Sequence, residues 1–150
     1  MRLFRVGLMC VGILTTTVIA QTTTKAGVVA ELDRRSPLHL RVTLRSGAAS
    51  DVTIYRADLP WGNRYSMVFA AVRPSGESLD LMLPIDDPGP TKTSLKAGES
   101  LTGDVDLRYV IRDVNALKES DVLLFWAYKA PQELHLPEWI GGMVLVPKQK

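Results

Sequence analysis

The chain is poor in the residues that carry most protein chemistry. Of its 150 residues one is cysteine, Cys10, and two are histidine, His39 and His135. Cys10 lies near the N-terminus, so the rest of the chain holds no thiol for a disulfide, a zinc thiolate or a nucleophile. Aromatic residues make up 7%, and nowhere are they interleaved with a cluster of Lys and Arg. The electrostatic footprint of a nucleic-acid binder is therefore missing. Long apolar runs are scarce too. The stretch Val6–Ile19, diluted by Thr15-Thr16-Thr17, falls short of the roughly 20 residues of a membrane-spanning helix.

That stretch has the three-part order of an export signal. Met1-Arg2-Leu3-Phe4-Arg5 is short and positive, Val6–Ile19 is apolar, and Val18 and Ala20 are small residues at the −3 and −1 positions of a cleavage site before Gln21. The expectation is a bacterial-type signal peptide over residues 1–20, helical until removed, which directs the protein to the periplasm or the medium. An uncleaved anchor is the alternative, and the membrane is touched only in that case. Cys10 does not make a lipoprotein signal: Met9 precedes it and the apolar run continues beyond it. Removing Arg2 and Arg5 from the 18 basic residues leaves 16, equal to the 16 acidic ones, so the processed protein is neutral.

Gln21–Ala26 is Thr-rich and reads as a flexible leader, and residues 27–150 as one domain. Within it the recurring pattern is period-two alternation. Leu38, Leu40, Val42 and Leu44 point to one side and His39, Arg41, Thr43 and Arg45 to the other, a half-buried strand that Ser46-Gly47 ends. Further strands are expected at Val28–Leu32, Asp51–Asp58, Tyr65–Arg73, Leu79–Ile85, Val105–Ile111, Val122–Tyr128 and Met143–Val146. Val122–Tyr128 is apolar on both faces, as a central strand is. Pro74-Ser75-Gly76 and Asp86-Asp87-Pro88-Gly89-Pro90 are turns, and Asp113–Ser120 allows a single helical turn. The fold class this implies is all-β, a single antiparallel sandwich of about seven or eight strands.

Leu95-Lys96-Ala97-Gly98-Glu99-Ser100, Val105–Tyr109 and the Val122–Tyr128 strand together resemble bacterial immunoglobulin-like β-sandwich domains, among them the small proteinase-inhibitor family of that fold. The resemblance covers about a quarter of the processed chain and implies an immunoglobulin-like sandwich. Inhibition enters from it as an alternative function, with no inhibitory loop residue to carry over.

No spacing in the domain assembles a catalytic or metal centre. His39 lies on the polar side of its strand and His135 in Glu133-Leu134-His135-Leu136-Pro137, a loop, so zinc would need carboxylates from elsewhere. Ser46 and Ser75 are turn serines without a nucleophile elbow. Asp86, Asp87, Asp104 and Asp106 are the candidates for a calcium site or a hydrolytic carboxylate pair, but turn composition and outward strand positions account for them. Met67, Met82 and Met143, dispersed among strands, read as core filling rather than copper ligands. No cofactor is expected.

The segment Asp58-Leu59-Pro60-Trp61-Gly62-Asn63-Arg64-Tyr65 is the most suggestive. Pro60 and Gly62-Asn63 stiffen a bend at Trp61, beside Arg64 and Tyr65, the composition of a binding hot spot. Trp61 folding back to plug one end of the sandwich is the competing reading. Trp139, before Gly141-Gly142, poses the same choice, whereas Trp126 sits in an apolar strand and reads as core. The expectation is an exported, non-catalytic binding module with Trp61, Arg64, Tyr65 and Trp139 as candidate contacts and another exported or envelope protein as partner. A structural assembly accessory, a proteinase inhibitor, a carboxylate hydrolase and a sugar binder are the alternatives.

Overall fold

Alternation in Leu38–Arg45 sets the first sheet. The computed structural model describes residues 25–62, 66–82 and 89–149. β1 (Gly27–Asp33) and β2 (Ser36–Arg45) form a hairpin, and β6 (Ser100–Asp106) lies on the other side of β2. Leu40, Val42 and Leu44 are fully buried, with Val28, Ala30 and Leu32 of β1 and Leu101, Gly103 and Val105 of β6 on the same side. The opposite face carries Glu31, Arg41 and Asp104 in one cross-strand row and Thr43 and Thr102, hydroxyl to hydroxyl at 3.2 Å, in the next. This is the ordinary division of a sheet that is wet on one side.

The second large sheet has the order β4 (Met67–Val72), β7 (Val122–Lys129), β8 (Trp139–Val146). β7 is central in it, flanked on both edges by β4 and β8. Met67, Ala71, Val122, Leu124, Trp126, Tyr128 and Val146 are buried on its inner side. A third, two-stranded sheet pairs β3 (Val52–Tyr55) with β5 (Lys92–Leu95) and adds Ile54 and Leu95 to the same core. All pairings are antiparallel, β1 also runs alongside β8, and one hydrophobic cluster draws on all three sheets.

Several elements differ from the sequence reading. The strand expected over Val105–Ile111 ends at Asp106, and Leu107–Tyr109 is a 3-10 turn. Leu107, Val110 and Ile111 are buried, and their spacing of three and four is that of a helical turn, not of a strand. Asp106 starts the turn by accepting the Arg108 backbone N–H at 2.9 Å. β5, a short polar run, was not expected at all. Of the strand expected over Leu79–Ile85, Leu81 makes a bridge to Ile111, while residues 83–85, like Asp86 and Asp87, lie outside the described residues. The single helical turn is α1 (Ala116–Glu119). The signal segment and residues 21–24 of the leader are also outside the described residues. Among those described, no helix is long and apolar enough to cross a membrane.

Candidate functional site

The outer face of β4–β7–β8 has no counterpart to the charged rows on the first sheet. Register places Val68, Ala127 and Gly141 in one row across the three strands. Ala70, Phe125 and Met143 form the next, and Val72, Leu123 and Leu145 the one after. Lys129 beside Trp139 completes the face at the end where β7 leaves and β8 begins. Val68, Phe125, Met143, Leu145 and Trp139 are each between 42% and 55% exposed. These five and their smaller neighbours present on the order of 600 Å² of mostly apolar surface, at the top of the roughly 300–600 Å² range of a monomer's largest apolar patch, which is often functional.

The charged end of this face is self-contained. Lys129 Nζ stands 6.0 Å from the centroid of the Trp139 ring and 3.7 Å from a Glu138 carboxylate oxygen. A lysine so placed lays its methylenes along the apolar surface and keeps its ammonium at the rim.

The candidate contacts foreseen from sequence divide. Trp139 lies on the apolar outer face. Trp61 does not: its indole is half-buried and lies on Gly103, on the core side of β6, where an added Cβ would fall inside the ring. The absent side chain of Gly103 makes room for the indole, and Trp61 thereby closes the core over β6. Its loop is fixed to the second sheet by the Tyr128 hydroxyl, which donates to the Asp58 carbonyl at 2.7 Å, and by the Lys129 N–H, which donates to the Ser66 carbonyl at 2.9 Å. The two tryptophans thus belong to the same end of the molecule but face different ways, one inward over β6 and one outward from β8, and they do not form one patch. Arg64 and Tyr65 lie outside the described residues.

Met143 corrects the sequence reading. Expected as core filling, it stands in the middle of the outer face; Met67 alone of the three methionines is buried in the core, and Met82 is half-buried. The signal that finds this face is the two-sided apolar pattern of Val122–Tyr128. That pattern alone does not say which side the core covers; the side of Phe125 is open.

The charged groups gather on the other sheet. Arg108 holds Asp106 with Nε and Nη2, at 2.6–3.0 Å, and this hydrogen bonding keeps the Asp106 carboxyl below its usual range. His39 Nε2 is 3.9 Å from the same carboxylate, beyond hydrogen-bond length. Asp104 faces Arg41 at 3.5 Å, and Arg41 also donates to Asp33 at 2.7 Å. Asp33 is lowered as well, chiefly by the Arg35 backbone N–H. These carboxylates are each committed to an arginine rather than converged on a common point. No group of three or more His, Cys, Asp or Glu able to hold a metal ion occurs among the described residues. The concavity lined by Glu31, Leu32, Asp33, Arg34, Arg35 and Arg41 at the β1–β2 turn is open to solvent. His135 takes a left-handed conformation at the end of the Gln132–Leu134 turn, and Ser46 Oγ accepts the Ala48 N–H and donates to the Leu134 carbonyl. Both act in loop closure.

In comparison with known proteins, no family model matches the chain, and no curated protein is similar to it at a significant level.

Proposed function

We propose that the chain is an exported, non-catalytic interaction module, an immunoglobulin-like sandwich that binds a protein in the periplasm or the medium through the outer face of β4–β7–β8. The observation that carries this reading is the unbroken apolar surface of Val68, Phe125, Leu123, Met143, Leu145 and Trp139 on a sheet whose other side already supplies the core. A face so composed is favourable to cover and unfavourable to leave wet. The strand order supports the architecture. The first, second and sixth strands form one sheet and the fourth, seventh and eighth the other, as strands A, B and E and strands C, F and G do in immunoglobulin domains. The export signal read at residues 1–20 supports the compartment.

Site-specific photo-crosslinking in cells that export the full chain tests the reading. A photoreactive residue at position 143 is expected to give discrete adducts, and the same residue at position 29, exposed on the opposite sheet, is expected to give none. Absence of adducts at 143 refutes binding through this face.

A further inference from the structure

We infer that the occupant of this face is a second copy of the same chain, packed sheet on sheet about a two-fold axis. The inference rests on the reading of the chain as a binding module and names its partner.

The relief of the face is self-complementary. Successive rows along the strands are about 6.8 Å apart. The row Val68–Ala127–Gly141 is low across β7 and β8, because Ala127 and Gly141 have little or no side chain. Trp139 rises on one side of this trough, and Phe125 and Met143 form a ridge on the other. A two-fold axis in the interface plane, perpendicular to the strands and midway between trough and ridge, exchanges the two. Phe125 and Met143 of each copy then enter the trough of the other, while Trp139 meets Leu145. One operation satisfies both copies, as an isologous interface requires. This axis sets β7 over β7 and β8 over β8 of the second copy, and the crossing of about −30° usual for aligned sheets tilts it by about 15° from the perpendicular.

The face is also nearly free of charge. Among the described residues Lys129 is the one ionisable side chain on the face proper, and it lies at the rim against Trp139 and Glu138. A partner selected by charge would leave a mark that is absent here, whereas two copies of a neutral face meet without like-charge repulsion. The face offers on the order of 600 Å² per copy, or roughly 1,200 Å² in total, the lower end of the range of specific interfaces and suited to a weak dimer.

Sedimentation velocity on the exported, processed protein, from about 1 to 300 µM, is the test. A monomer–dimer equilibrium is expected with a dissociation constant of roughly 1–100 µM. Met143→Glu and Leu145→Lys, both at side chains outside the core, are expected to weaken it by at least about tenfold with unchanged circular dichroism. Val29→Glu, on the opposite sheet, is expected to leave it unaltered. A wild type that stays monomeric over the whole range overturns the inference. So does a dimer indifferent to both face variants, or one lost equally in Val29→Glu. If the protein is monomeric while position 143 still yields adducts of some other mass, the second copy is refuted and the binding module stands. If neither dimer nor adduct is found, both fall.

Discussion

At the scale of the residue, two strand glycines make matched pairs with tryptophans that pack on the core. Trp61 and Gly103 are one such pair and Trp126 and Gly142 another: an added Cβ on Gly142 would stand 2.9 Å from the Trp126 ring. In each, a strand glycine accepts an indole. Trp61→Ala is therefore expected to act on stability first, lowering it by about 2–4 kcal/mol through lost burial and the cavity left behind. Gly103→Ala, which drives a methyl into the ring, is expected to cost about 1–3 kcal/mol. Urea titrations of both variants measure this. A Trp61→Ala protein as stable as the wild type would return that residue to the surface and to the list of contacts. Tyr128 is the second test at this scale. Burial, and after it the neighbouring Asp58, raises its phenol well above the ordinary value of 10.0. The folded state thus keeps the proton that the unfolded chain releases. The stability this contributes is complete below pH 10 and is lost as the pH rises from there toward the folded value. Tyr128→Phe is expected to lose about 1–2 kcal/mol at neutral pH, since the Asp58 carbonyl loses its donor, and to show a shallower decline above pH 10. Parallel denaturant titrations from pH 7 to 11 give both numbers.

At the scale of the element, what was legible in the sequence depended on how strictly a run kept a single period. Leu38–Arg45 alternates without fault, and its inner and outer residues fall where the pattern put them. Val122–Tyr128 announced a central strand by being apolar throughout, yet that same uniformity concealed which of its sides is open. Period alone does not distinguish a face covered by the core from one covered by something else, and Met143 and Trp139 on the neighbouring strand inherit the ambiguity. β6 was placed late because Val105, Leu107 and Tyr109 continue the alternation past Asp106, while the tertiary core takes Leu107, Val110 and Ile111 in a turn. β5 was missed because Lys92–Leu95 is short and polar, and it becomes a strand only through its pairing with β3. The connection from β5 to β6 was easier. The Glu99 N–H donates to the Lys96 carbonyl at 3.0 Å and Gly98 has φ +73°, the geometry of a type II turn with glycine in its third place. Gly98→Ala is expected to cost about 1 kcal/mol in strain, and Gly98→Asn less, because asparagine tolerates the left-handed region better. A thermal melt of the two variants that gave the opposite order would mean that the turn rearranges.

At the scale of the whole molecule, the two large sheets have opposite outer surfaces, one bearing paired charges and the other almost none. This asymmetry predicts how association through β4–β7–β8 responds to the solvent. Charges bring proteins together with a steep dependence on ionic strength, because the Debye length shrinks from about 30 Å at 0.01 M to about 3 Å at 1 M salt. Apolar association has no such dependence on sodium chloride and is strengthened by sulfate, which is excluded from protein surfaces. The chain as a whole is also close to neutral, with 18 basic and 16 acidic residues, so little net repulsion remains for salt to screen. Association measured by sedimentation is therefore expected to change less than about threefold between 0.05 and 0.5 M sodium chloride and to tighten in sodium sulfate of the same ionic strength. A complex that weakened by tenfold or more over that range would be held by ionic contacts. The rows of Arg41, Asp104 and Glu31 on β1–β2–β6, rather than Phe125 and Met143, would then be the surface to mutate.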